Sequence, residues 1–396
     1  MDTTTRTAWQ LGVAVVLSIT SVAAYGQDKE EGPTLYGGAS VAYDSNFFRI
    51  EEEFQKPQEA TAPGFDDMIY RIFAGLDAEW RLGSKNRIQV VGEIVGNAHD
   101  KFTTADNTSG DLLLRWAYSG NATDFAVAYT QVAERVDFVN QNIPRVDFRT
   151  RNEVSVGLTQ RFTPRWSVFL RGSFADIEFE QALPVQRAKA VTGIRYRSRS
   201  DNSIALVAEF QERQSDFDNL LGFEEYLIGP ELDWKLTENF RLDAKLKYQE
   251  RTPKSPVFTV FDGPTGEIRF EWAPSPNVVF EGAVFRRIST LGDQLANFAI
   301  VDGQEFRGIW GAGEKLQFVV EISHELRDFQ LEPSLADFGA VPREDDLVLG
   351  GAGFEWQPRR QLQIDFMASI GNRESNREFQ DFRYENFAVG FRWYFL

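Results

Sequence analysis

Tryptophan returns in this chain at a near-constant step, each time closing a stretch of alternating apolar and polar residues just before a turn: Trp80, Trp116, Trp234, Trp272, Trp310, Trp356 and Trp393. Phe162 and Tyr196 close two further stretches in the same manner, and Trp166 stands on the far side of a turn. Alternation with period two marks a strand with one apolar and one polar face. Rings at one level on successive strands mark a belt. Tryptophan and tyrosine settle where lipid tails meet headgroups, because the ring is buried there while its polar edge stays wet, and transmembrane barrels carry girdles of them. The spacing therefore predicts an all-β chain closed as a transmembrane antiparallel β-barrel in the outer membrane of a Gram-negative bacterium.

The alternation is sharpest from Met68 to Leu82, where Tyr70, Ile72, Ala74, Leu76, Ala78, Trp80 and Leu82 share one face and Arg71, Asp77, Glu79 and Arg81 share the other. One face suits lipid and the other water. A second hairpin repeats the pattern. Tyr226, Ile228, Leu232, Trp234 and Leu236 oppose Glu231, Asp233 and Lys235; after Thr237-Glu238-Asn239, Phe240, Leu242, Ala244, Leu246 and Tyr248 oppose Arg241, Asp243, Lys245 and Lys247. Read this way, strands start near Thr34, Met68, Arg87, Asp111, Asp124, Asn152, Arg165, Ala188, Ser203, Glu225, Phe240, Glu267, Val278, Glu305, Lys315, Asp346, Gln361 and Glu385, about 18 in all, with 16 left open because the alternation fades between Phe285 and Glu305. Tight turns such as Thr163-Pro164 and Gly311-Ala312-Gly313-Glu314 alternate with long polar connections such as Glu51 to Asp67 and Arg327 to Glu344. In such barrels the short turns face the periplasm and the long loops face outward, so an even count leaves both strand ends in the periplasm.

Residues 1–26 read as a leader: Arg6 supplies a charge, Leu11 to Ala24 a short apolar run, and Ala24-Tyr25-Gly26 the small residues before a cleavage placed after Gly26. Residues 27–396 are then the barrel. Beyond the leader no apolar run reaches the roughly 18 residues that a membrane helix needs. The mean hydropathy of -0.34 fits a wall in which every second residue faces water. The chain has no cysteine, which removes disulfides, thiolate nucleophiles and cysteine-held metals together. Its formal charge of -17 argues against nucleic acid as a partner, since phosphates require a basic face.

The last strand alternates Phe387, Val389, Phe391, Trp393 and Phe395 with Ala388, Gly390, Arg392 and Tyr394, resembling the terminal signal read by barrel-assembly machinery, with Leu396 one residue beyond the usual closing phenylalanine. Val41-Ala42-Tyr43-Asp44-Ser45-Asn46-Phe47-Phe48-Arg49, Gly263-Pro264-Thr265-Gly266 and Phe354-Glu355-Trp356-Gln357-Pro358, in this order, resemble the EpsL-type proteins of exopolysaccharide operons, within the wider group of β-barrel porins. The resemblance implies an outer-membrane conduit for an exopolysaccharide, working with a periplasmic polysaccharide export protein amid outer-membrane lipid and lipopolysaccharide. It carries over no binding residue. A general or oligosaccharide-uptake porin is the alternative, and a barrel with a plugged lumen a third.

The polar faces nominate Arg71, Asp77, Glu79, Asp233, Lys235, Asp243, Lys245, Lys247, Glu267, Arg269 and Glu271 as lumen-lining. For each, the plain role is to pair with a neighbouring strand and keep the wall wet. Together they would offer many shallow contacts to sugar hydroxyls, as conduction requires. Phe285 and Tyr394 also fall on this face and could stack on sugars or pack on loops. No enzyme is expected. Of the two histidines, His324 falls on the outer face, and His99-Asp100 is adjacency without a nucleophile. The acidic cluster Glu51-Glu52-Glu53 with Asp66-Asp67 reads as a solvated loop, although it could gather divalent cations that bridge lipopolysaccharide, and Gly350-Gly351-Ala352-Gly353 lies in a strand with no helix after it. No cofactor or metal site is assigned.

Overall fold

The computed structural model describes residues 32–51, 64–140, 146–215, 222–255, 258–290, 296–331 and 341–395. The expected leader and the acidic residues Glu52 and Glu53 lie outside the described residues. Within them the chain forms β1 (Gly32–Asp44), β2 (Asp67–Leu82), β3 (Asn86–His99), β4 (Asn107–Ser119), β5 (Thr123–Arg135), β6 (Phe148–Arg161), β7 (Trp166–Phe179), β8 (Val185–Arg197) and β9 (Ser203–Ser215). The second half supplies β10 (Phe223–Thr237), β11 (Phe240–Pro253), β12 (Phe261–Ser275), β13 (Val278–Ser289), β14 (Ala296–Gly311), β15 (Leu316–Leu331), β16 (Glu344–Arg359), β17 (Leu362–Ser375) and β18 (Phe382–Phe395). Each strand pairs antiparallel with the next, and β18 returns to β1 with Tyr394 opposite Tyr36 and Phe387 opposite Tyr43. Closure leaves no edge, the condition for strands to cross a bilayer, where unpaired N–H and C=O groups find no water.

The count is 18, and the 16-strand alternative falls. The doubtful stretch holds the end of β13 and the start of β14, whose ladder runs from Val278 opposite Trp310 to Ser289 opposite Ala299. Starts at the tight-turn end agree with the sequence, as at Ser203, Phe240 and Val278. Starts at the loop end come earlier than the alternation showed: Phe261 where Glu267 was expected, and Ala296 where Glu305 was. The reason is physical. Above the bilayer the outward positions turn polar, as at Asp262 and Asp302, while the hydrogen-bonded ladder continues into water.

The outer face carries the large apolar side chains in the open: Ile72 is 69 % exposed and Ile94 59 %. So continuous an apolar surface belongs against lipid. The belt holds as well, with Trp80, Trp116, Trp166, Trp234, Trp272, Trp310, Trp356 and Trp393 all exposed near the tight-turn end. Gly83 and Gly313 stand in those turns at φ +69 and +81, the left-handed conformation that a side chain resists. At the other end three connections fold back into the lumen. Phe47 and Phe48 from the β1–β2 connection, Phe102 and Ala105 from β3–β4, and Phe138 from β5–β6 pack on Ala42, Ile69 and Ala388 of the inner wall.

Candidate pore and constriction

The constriction begins in the motif that carries the family resemblance. Asp44 accepts from both terminal nitrogens of Arg49, at 2.8 and 2.9 Å, a fork geometry that fixes direction as well as distance. Asn46 closes the turn: its side-chain oxygen accepts from the Ile50 amide at 3.0 Å, and its side-chain nitrogen donates to the carbonyls of Ile50 and Arg383 at 2.8 and 3.0 Å. Arg49 sits at φ 59, a strained position for a side chain, and stacks 3.6 Å above the Tyr384 ring. This bracing turns Phe47 inward until it is 1 % exposed, stacked on Phe102 at 5.3 Å and edge-on to Phe138 at 5.3 Å. Burying such a ring contributes about 1.5–3 kcal/mol, which offsets the cost of ordering the turn.

The β5–β6 connection reaches further. Val139 enters a pocket formed by Leu347 and Leu349 of β16 with Phe382 and Tyr384 of β18. Gly371 makes room for this pocket, since a Cβ there would stand 2.1 Å from Cε1 of Tyr384. Arg373 donates to the Val139 carbonyl at 3.0 Å. One residue before the turn, Asp137 accepts from the Val139 amide at 3.1 Å through Oδ1, while its Oδ2 is buried without a hydrogen bond. Burial pushes the Asp137 carboxyl up to about 6, against the opposing pull of Arg49, Arg135 and Arg327. The roof thus covers the inner wall from β16 around to β2.

The expected lumen residues all fall on the face opposite the lipid-facing side chains, and the register brings most of them into ion pairs. Arg241 donates to Asp233 at 2.5 Å and stands 3.5 Å from Asp243. Lys247 joins Glu231 at 3.0 Å and Glu209 at 3.4 Å. Lys245 lies 3.9 Å from Glu267, and Arg269 bridges Glu267 and Glu305 at 2.6 and 3.0 Å. Glu79 takes Arg87 at 3.2 Å. Asp77 and Glu271 lie on the same face, and Lys235 sits exposed at the tight-turn mouth. Arg71 is different: it has no carboxylate partner among the described residues, and its Nε is buried without a hydrogen bond.

Arg71 has company that the sequence reading missed. Arg115 on β4, Arg171 on β7 and Arg213 on β9 also face the lumen with no ion pair to a carboxylate among the described residues, Arg195 on β8 is drawn only to the more distant Glu231 and Asp233, and Arg135 at the end of β5 lies over the Phe47 ring at 4.4 Å. Arg213 even stands directly opposite Arg187, a like-charge placement that costs stability. On β10 to β15 the arginines are paired instead: Arg251 with Glu225 at 2.6 Å, Arg287 with Glu325 at 2.7 Å, and Arg307 with Glu281 at 3.9 Å. Strands β2 to β9 therefore carry several inward arginines outside ion pairs, where pairing with neighbouring strands was expected, beside the paired Arg151, Arg187 and Lys189 and the inward Asp111. Each arginine was legible as an inward position from its alternation. That it lacks a partner depends on strands far away in sequence.

The remaining candidates resolve simply. His99 bonds Asp67 rather than Asp100, Nδ1 to Oδ2 at 2.8 Å, and its ring abuts Phe47 at 4.9 Å, so it ties β2 and β3 to the constriction. His324 lies on the outer face as expected, 2.9 Å from Asp346. Phe285 lies over Gly303 beneath Arg287, and Tyr394 donates to Gln363 at 2.8 Å. Both are packed into the wall, which leaves them little ring face for a sugar. No group of His, Asp or Glu side chains among the described residues is arranged to hold a metal.

No family model and no curated protein sequence matches the chain. Solved structures do. A BenF-like porin from Pseudomonas fluorescens Pf-5 superposes with a TM-score of 0.53 at 8 % identity, covering 92 % of this chain and 98 % of its own. Acinetobacter baumannii OccAB3 gives 0.51 at 8 % identity, with 92 % and 99 % covered, and Pseudomonas aeruginosa OpdK, in a structure with vanillate, gives 0.51 at 9 % with the same coverage. At such identities the likeness is one of fold. The closed sheet, its lipid-facing girdle and these neighbours define the class: a multi-pass outer-membrane β-barrel of porin architecture.

Proposed function

We propose that this barrel is a porin through which small anionic solutes diffuse. The observation that carries the reading is the set of lumen arginines outside ion pairs among the described residues, Arg71 at the edge of the constriction and Arg115, Arg171 and Arg213 on β4, β7 and β9 beyond it. Such a guanidinium is open to an anion: Arg171 is exposed to the lumen, and Arg71 and Arg213 each hold a buried Nε without a hydrogen bond. It raises the local concentration of anions and offers them a forked donor for a carboxylate or phosphate. Spreading these cations along several strands gives a row of shallow sites and no single trap, as conduction requires. The OpdK structure with vanillate, an aromatic carboxylate, supports the same solute class by analogy of fold alone.

The export reading attached to the family resemblance has less support. A moving sugar polymer needs a wide continuous lumen, and three connections of this barrel fold into its outer half. Reversal potentials across planar bilayers in a salt gradient test the proposal: the wild type should prefer chloride over potassium, and R171Q/R195Q/R213Q should reduce that preference several-fold with the barrel still folded. A cation-selective wild type would overturn the reading. Loss of surface polysaccharide on deleting the gene, with small-anion uptake unchanged, would restore the conduit.

A further inference from the structure

The tight-turn end of the barrel carries a charge pattern that the pore does not use. Lys85 lies between β2 and β3, Arg165 between β6 and β7, Arg199 between β8 and β9 and Lys315 between β14 and β15, while Arg359 ends β16 and Arg360 follows it before β17. All six are exposed. None is ion-paired to a described residue; Lys315 donates only to the Pro358 carbonyl, at 3.2 Å. Across all the tight turns the carboxylates are fewer: Asp201, Glu238 and Glu314.

The opposite end of the outer face is the reverse. There Glu250, Asp262, Asp302, Glu344 and Glu374 are exposed, and the cations beside them are taken up in pairs, Arg286 with Asp302 at 3.1 Å and Arg383 with Glu385 at 3.4 Å. In a chain of net charge -17, a rim of free cations is a local exception.

Depth supplies the second argument. Arg165 directly precedes the belt residue Trp166, Arg359 follows Trp356 by three positions, and Lys85 follows Trp80 by five. Strands advance about 3.3 Å per residue, so these cations sit just beyond the rings that mark the tail–headgroup boundary, at the level of lipid phosphates. They are also spread around the circumference, on five of the turns from β2 to β17. An annulus matches a shell of lipid; a protein partner would require a patch.

We propose that this rim is a docking surface for anionic phospholipid headgroups of the periplasmic leaflet, phosphatidylglycerol-like in charge. The phosphates neutralise the free cations, and the belt tryptophans seat the glycerol backbone above them. The attraction orients and anchors the barrel in the leaflet that meets the tight turns, and it falls off with added salt.

The barrel's own tryptophans report the contact. Folded protein reconstituted in bilayers mixing phosphatidylcholine with phosphatidylglycerol, one or the other brominated, gives the relative occupancy of the lipid shell from fluorescence quenching. The wild type should favour phosphatidylglycerol by about fivefold at low salt, declining toward unity as salt is raised. K85Q/R165Q/R199Q/K315Q/R360Q should give a ratio near unity while retaining the heat-modifiable gel mobility of a folded barrel. A wild-type ratio of one, insensitive to salt, overturns the proposal even if the variant does not fold. A variant that keeps the lipid preference but loses anion conductance also overturns it, because the cations would then serve free solute.

Discussion

Arg373 on β17 donates from Nη1 to the carbonyl oxygen of Val139, 3.0 Å away and 234 residues earlier in the chain. That bond joins a turn between β5 and β6 to the wall nearly opposite in sequence. It decides how much of the lumen is covered, since Val139 enters its pocket only while the turn is held across the mouth. A hydrogen bond from a charged donor contributes about 1.5–3 kcal/mol. Arg373→Met keeps the apolar stem and removes the donor, so the turn should leave its seat more often and single-channel recordings should show a larger, noisier conductance. Gly371→Ala should act in the same direction by crowding Tyr384. Unchanged conductance in both variants would show that the turn does not limit the pore.

The same turn should respond to pH through Asp137. Its carboxyl is raised from 3.8 to about 6 when seated. A raised carboxyl takes up a proton on seating, so this contribution is fully present below about 3.8 and is lost as pH rises through about 6. From these values the seated fraction relative to the free one should rise about tenfold between roughly pH 7 and pH 5. Conductance should fall accordingly on acidification, and Asp137→Asn should flatten the dependence. A pore that opens wider in acid would contradict the sign.

The register of the wall can be tested on one strand. Leu246 faces lipid at 54 % exposure, and its neighbour Lys245 faces the lumen, where its ion pair spans 3.9 Å. Leu246→Arg should destabilise the barrel by about 2–4 kcal/mol near the bilayer midplane, read as a lower denaturation midpoint on heat-modifiable gels. Lys245→Gln should leave that midpoint in place. Equal effects would mean that the two faces have been exchanged.

Orientation follows from loop length. Because the chain has no cysteine, a single introduced thiol reports its own side of the membrane. Val341→Cys, 69 % exposed beside β16, should be labelled by an impermeant reagent on intact cells, and Ser84→Cys between β2 and β3 should not. The converse pattern would invert the barrel and move the basic rim to the cell surface.

The wall was legible in the sequence because each of its rules is local. A strand shows its two faces within a few residues, as Ile228 and Leu232 do against Glu231 and Asp233, and a belt ring needs only its own turn beside it. Parity therefore gave the strand face on which each nominated residue lies, and the alternation faded only where outward positions such as Asp302 rise into water.

Tertiary structure decided the rest, because pairing and roofing join residues that the chain keeps apart. Asp44, Asn46 and Arg49 read as an ordinary polar strand end, yet their hydrogen bonds turn Phe47 into the lumen only because Arg383 and Tyr384 arrive there from the far end of the chain. Arg392 finds Glu93 at 3.6 Å across the closing seam, while Arg171 and Arg213, equally inward by parity, meet no carboxylate among the described residues. Period-two alternation fixes which way a side chain points; only closure of the sheet, with its stagger between strands, fixes what it points at.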